Sequence, residues 1–95
     1  MKLEQKIITF LEKVIDPETG LNVVRMELIR NLKIEKNGRV SLTFRPSSPV
    51  CPLAFQLGFA IQQAVKGVEG VKDLRINVEG FIHAEQLEKI LAEEQ

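Results

Sequence analysis

The chain of 95 residues has no tryptophan, no tyrosine, one histidine and one cysteine. A single cysteine cannot close an internal disulfide, which fits a reducing compartment and turns attention to thiol or metal chemistry at Cys51. The aromatic content is 5%, all phenylalanine, and no Lys/Arg stripe is interleaved with it, so the sequence signature of a nucleic-acid binder is missing. Neither sign of charge dominates, since thirteen basic residues balance thirteen acidic ones. No apolar run approaches the ~20 residues of a membrane span, and Met1-Lys2-Leu3-Glu4-Gln5-Lys6 mixes charge into what would be the apolar centre of a signal peptide. The expectation is a cytoplasmic protein with neither nucleic acid nor membrane as partner. Glycine-rich phosphate cradles, paired-cysteine motifs and zinc-protease helices are absent from the sequence as well.

What the sequence does hold is the 44% hydrophobic content of an ordinary globular protein. Residues 1–95 suit one domain. Domains of this size bury only about 60–70% of the surface of their unfolded chains, so the core is modest and a homodimer is compatible with it.

Leu3, Ile7, Ile8, Leu11, Val14 and Ile15 recur at helical spacing among charged residues, which predicts an amphipathic helix ended by Pro17. Asp16 precedes that proline and is pushed out of helical geometry, so Asp16-Pro17-Glu18-Thr19-Gly20 reads as a turn. Residues 21–29 fit neither period and stand as a connection or a short helical turn. Leu32 and Ile34, then Val40, Leu42 and Phe44, alternate with polar residues around Asn37-Gly38, which describes a β-hairpin. A two-residue turn would put the two apolar sets on opposite faces. A three-residue loop Lys36-Asn37-Gly38 with Gly38 left-handed pairs Ile34 with Val40 and makes one face apolar.

Three prolines in residues 45–52 demand a stiff loop. Leu53, Leu57, Ala60, Ile61, Ala64 and Val65 then form a helical stripe stopped by Gly67 and Gly70, with Gly58 expected to admit another backbone. Leu74, Ile76 and Val78 alternate as a third strand, and Leu87, Ile90 and Leu91 mark a charged final helix. The fold class is α+β, in the order α-β-β-α-β-α. Because a helix joins strands two and three, they are expected to be parallel, giving a small mixed three-stranded sheet with helices packed on it.

Cys51 carries the chemistry most directly. With Pro52 suited to the first helical position, Cys51 falls at or near the N-cap, where free amides and the helix dipole favour a thiolate. Ser47 and Ser48 can offer hydroxyls to the same pocket. The plain alternative is a small buried hydrophobe. Asp16 could face this loop as hydrogen-bond acceptor or metal ligand, or merely cap its own turn, and Glu18 carries the same two readings. His83, at the start of the last helix, could act as base or ligand, or as a cap. Iron-sulfur clusters commonly need four cysteine ligands, so any cluster held here must be shared.

The turn Asp16-Pro17-Glu18-Thr19-Gly20, the hairpin, Ser47-Ser48-Pro49-Val50-Cys51-Pro52 and Gly67-Val68-Glu69-Gly70-Val71 together resemble the metal-sulfur cluster biosynthetic family, the SufT/PaaD-like iron-sulfur assembly domain, across about residues 3–80. The resemblance implies maturation or delivery of iron-sulfur clusters, with assembly proteins and apoprotein clients as partners, and it implies Asp16 and Cys51 as site residues. Where the family usually carries a threonine before the cysteine, this chain has Ser47 and Ser48. In place of the family's proline-tryptophan segment it has Gly80-Phe81-Ile82-His83 and a helix. Three readings follow. Cys51 transiently holds iron or a cluster shared between subunits in a non-catalytic assembly factor, or the chain is an adaptor with a structural Cys51, or it is a thiol enzyme pairing Cys51 with His83.

Overall fold

A computed structural model describes residues 3–17, 19–47, 49–50 and 53–93, running α1 (Leu3–Leu11), β1 (Ile29–Ile34), β2 (Arg39–Phe44), α2 (Ala54–Lys66), β3 (Asp73–Val78) and α3 (Ala84–Glu93). The element order matches the sequence expectation. The sheet is β1-β2-β3, with β1 antiparallel and β3 parallel to the central β2.

The hairpin has the bulged loop that parity required. Ile34 faces Val40, the Glu35 amide donates to the Arg39 carbonyl at 2.8 Å, and the Gly38 amide donates to the Glu35 carbonyl at 3.0 Å. Gly38 is left-handed at φ 89, and Asn37 Oδ1 accepts from the Arg39 amide. A second irregularity was not visible in the sequence. Arg30 pairs with Thr43 but Lys33 pairs with Ser41, so β1 carries one extra residue at Asn31-Leu32, where Asn31 has φ 54. That bulge keeps Ile29 opposite Phe44 on the same side as Ile34 opposite Val40, which an unbroken period of two could not do. The strand therefore begins three residues before Leu32, at the end of the stretch that fitted neither period.

One face of the sheet is covered. Val40, Leu42, Phe44, Leu74, Ile76 and Val78 are buried against Ile7 and Leu11 of α1, Leu57, Ile61 and Val65 of α2, and Leu87 and Leu91 of α3. Helix α1 is shorter than its apolar pattern suggested. It stops at Leu11, Val14 remains buried, and Ile15 leaves the core at 49% exposure to bridge Asn22 in antiparallel fashion. The chain turns back on itself there, and backbone pairing outweighs the helical continuation that Val14 and Ile15 allow.

Helix α2 also begins later than expected. Leu53 is the N-cap and Ala54 the first helical residue, so position 52 precedes the helix and Cys51 stands two residues upstream of the cap. Gly67 is the C-cap as anticipated, in right-handed geometry, and the left-handed turn comes at Gly70 with φ 104. Gly58 admits side chains rather than a backbone. A Cβ there would meet the Leu87 and Leu91 methyl groups at 3.4–3.6 Å. Gln62, fully buried, donates from Nε2 to the Leu91 carbonyl at 2.7 Å and ties α3 to α2, while its Oε1 finds no donor among the described residues.

Two glycine substitutions separate these effects. Gly38→Ala places a Cβ 2.7 Å from the Gly70 carbonyl in a left-handed residue, and is expected to lower stability by about 2 kcal/mol. Gly58→Ala meets only ordinary contact and gains helix propensity, so it is expected to raise stability by up to about 1 kcal/mol. Urea midpoints of the two variants against the parent check both signs.

Candidate functional site

In a parallel pair joined by a helix, ligands tend to collect where the strands end and their loops diverge. Here that place is the carboxyl end of β2 and β3. From β2 the chain enters the proline loop. The Arg45 amide donates to the Leu28 carbonyl at 2.8 Å, Pro46 is buried, and Ser47 is exposed. From β3 it turns at Gly80, whose left-handed φ of 65 and missing Cβ leave room for the Arg45 side chain, with Nε 3.1 Å from where a Cβ would stand.

The two exits are tied together. The Ile82 amide donates to the Pro49 carbonyl at 2.8 Å, and the Phe81 ring packs edge-on against Phe55 in the first turn of α2, centroids 5.8 Å apart. His83 also packs edge-on against Phe81, again at 5.8 Å, and its carbonyl accepts from the Leu87 amide at the start of α3. The imidazole is exposed. His83 thus stands on the segment bonded to the proline loop two residues before Cys51.

The acidic turn is connected to the start of the proline loop only indirectly, through backbone bonds of the segment that follows it. Asp16 and Leu21 are joined by the Asp16 amide donating at 2.9 Å, and the Gly20 amide closes the turn on the Asp16 carbonyl at 2.8 Å. Val23 donates to Val14, Leu28 to Val23, and Arg45 to Leu28. Asp16 is 2% exposed, one of few buried polar residues. Thr19 Oγ1 accepts from the Leu21 amide and donates to Met26 Sδ, which braces the turn from within. The sequence expectation that Asp16 sits beside the end of α1 gives way to a different placement, inside a bridged loop five residues beyond Leu11, the last residue of that helix.

Of the sequence-predicted site residues, Ser47 and His83 stand on the two exits joined by the Pro49–Ile82 bond and Asp16 on a separate bridged turn, while Glu18, Ser48 and Cys51 lie outside the described residues. Among the described residues no three His, Cys, Asp or Glu side chains gather to hold a metal ion. The electrostatics at the head of α2 are simple. Leu53 has no side-chain acceptor and the first turn contains no acidic residue, so the positive end of this 13-residue helix is not neutralised from within.

Sequence reasoning missed four participants: Phe55 and Phe81, which join the helix to the β3 exit, and Val50 and Ile82, exposed at 68% and 66% beside the Pro49–Ile82 bond. A lone apolar residue between prolines, or before the only histidine, carries no periodic signal to single it out. Truncating the bridging ring tests the tie. Phe81→Ala is expected to destabilise the fold by about 3 kcal/mol, and to accelerate hydrogen exchange at the Ile82 amide beyond the change seen at core amides of β2.

With that geometry in place, comparison with known proteins is informative. A family model described as an iron-sulfur cluster assembly protein matches residues 4–78. An uncharacterized protein of Methanocaldococcus jannaschii is 30% identical over 95 residues, the whole of both chains. An Fe-S protein maturation auxiliary factor of Porphyromonas gingivalis is 32% identical over 78 residues, 82% of this chain and 74% of that protein. The crystal structure of a domain of unknown function from Bacillus anthracis matches with a TM-score of 0.74 at 25% identity, over 97% of this chain and 90% of the other.

Proposed function

Because the chain belongs to the iron-sulfur cluster assembly protein family, we propose that it is a non-catalytic accessory factor that helps to mature or deliver iron-sulfur clusters to apoproteins, with the Cys51 thiolate as a transient ligand of iron or of a cluster. The observation that carries this reading is the bond from the Ile82 amide to the Pro49 carbonyl, which ties the loop that precedes Cys51 in sequence to the segment bearing His83. A helix N-terminus without an internal acid lies just downstream, and positive potential there lowers the proton affinity of a nearby thiol.

One sulfur donor is too few to retain a cluster, and this fits a carrier better than a resident site. The remaining ligands come from a second copy, an assembly protein or the client, and the cargo leaves when a fuller ligand set is offered. Asp16, with Glu18 beside it in sequence, supplies oxygen at the acidic turn, Ser47 and Ser48 supply hydroxyls, and the exposed His83 imidazole supplies a nitrogen donor or a base.

A second reading, an adaptor with a structural Cys51, is favoured by the exposed Val50 and Ile82 beside the same loop, since paired apolar side chains in water suit a docking contact. The two are separable. Anaerobic reconstitution of the parent is expected to yield bound iron and sulfide with charge-transfer absorbance, and Cys51→Ser to yield neither. Alkylation of Cys51 followed against pH is expected to show a midpoint below the ~8.5 of an unperturbed thiol. Identical reconstitution of parent and Cys51→Ser, with an ordinary alkylation midpoint, leaves the adaptor. A thiol enzyme would instead slow its alkylation on His83→Ala.

A further inference from the structure

The balanced charge of the whole chain hides a segregation that only the strand register reveals. On the sheet face turned away from the helices, cross-strand pairing builds three rows. Glu35, Arg39 and Asp73 form the first, Lys33, Ser41 and Arg75 the second, and Arg30, Thr43 and Asn77 the third. Arg30, Lys33, Arg39 and Arg75 are exposed, and Arg75 also borders α3, lining a depression with Glu85, Glu88 and Lys89. Four cations meet two carboxylates on this face. Arg39 and Asp73 pair at 3.4 Å, and among the described residues Arg30, Lys33 and Arg75 have no acidic partner.

The spacing is regular. Strands stand ~4.8 Å apart, so Lys33 and Arg75 flank Ser41 across ~10 Å, and Arg30 lies one row along, ~7 Å away. An extended chain repeats its side chains on one face at that same ~7 Å, so carboxylates at alternate positions of a strand can meet Arg30 and Lys33 together. The neutral hydroxyls and amide of Ser41, Thr43 and Asn77 lie between the cations, and a depression of ≈ 390 Å³ lined by Glu35, Arg39, Ser41, Asp73 and Arg75 gives the face relief.

We propose that this open sheet face docks an acidic, extended segment of a partner protein, with Arg30, Lys33 and Arg75 as its recognition residues. Charge complementarity selects the occupant. Nucleic acid is disfavoured because the face carries no aromatic side chain on which a base could stack. A second copy offers an acidic surface in α3, where Glu85, Glu88 and Glu93 outnumber Lys89. Seating α3 of one copy on the sheet of another is a head-to-tail contact that leaves both surfaces free at the ends of the pair, so it would propagate rather than close. The docking face is on the side of the sheet away from the helices and does not depend on whether Cys51 holds metal.

The test uses the full chain and a poly-glutamate peptide as probe, with calorimetry for affinity and NMR for location. Binding is expected to shift the backbone amides of Ser41, Thr43 and Asn77, to weaken as salt rises, and to fall about tenfold in Lys33→Glu/Arg75→Glu, the order expected when two exposed charge contacts are reversed. Both residues are exposed, and Lys33→Gln/Arg75→Gln serves as a neutral control expected to lie between parent and reversal. The alkylation rate of Cys51 in the same variants is expected to equal the parent's, so failure at this face is read apart from failure at the thiol. Equal affinity in parent and reversal, shifts confined to the helices, tighter binding of a single-stranded RNA at the same amides, or self-association abolished by the same reversal would each overturn the proposal.

Discussion

The structure depends on β2 being paired along both edges, antiparallel to β1 on one side and parallel to β3 on the other. Parallel pairing cannot be made by a tight turn, so the chain must leave β2, cross the covered face as α2 and return. That requirement creates the stiff proline loop at the carboxyl end of β2 and a helix that starts immediately after it. That Cys51 falls in sequence between β2 and the start of α2 follows from strand direction before it is a matter of chemistry.

The same central strand divides the molecule into two working surfaces. Its even-numbered residues Val40, Leu42 and Phe44 are the floor of the core, and its odd-numbered residues Ser41 and Thr43 are the floor of the basic face. Thr43 is buried on the central strand, where it sits between Arg30, whose apolar stem can shelter a short neighbour, and Asn77. The proposed cargo chemistry at the strand ends and the proposed recognition on the open face share a strand but no side chain, so the two proposals stand independently.

Much of this arrangement can be read from residue order alone. Parity across Asn37-Gly38 requires the three-residue loop, because only that loop brings Ile34 and Val40 to one side, and a crossover of helical length requires the parallel strand. Other features have no linear signal. Val14 and Ile15 extend the apolar pattern of α1 by a full turn, yet the chain bends there because Ile15 pairs with Asn22, a contact across seven residues. The bulge at Asn31 is likewise hidden, since Leu28-Ile29 followed by Leu32 and Ile34 makes sense only when Phe44 and Val40 are known to face them. At the site, Asp16 and Cys51 stand out because each adjoins a proline that fixes its surroundings. The phenylalanine bridge between Phe55 and Phe81 and the three-cation cluster are assembled from segments far apart in the chain.

The kink at Asn31 has a bearing on how the molecule behaves in a crowded cell. β1 is an outer strand, and outer strands tend to recruit stray polypeptide into growing ribbons. A left-handed Asn31, with Arg30 before it and Lys33 two residues after it, interrupts the straight run of amides and carbonyls that such recruitment copies. Along β1 the bulge thus leaves a shorter straight template for a stray strand to copy.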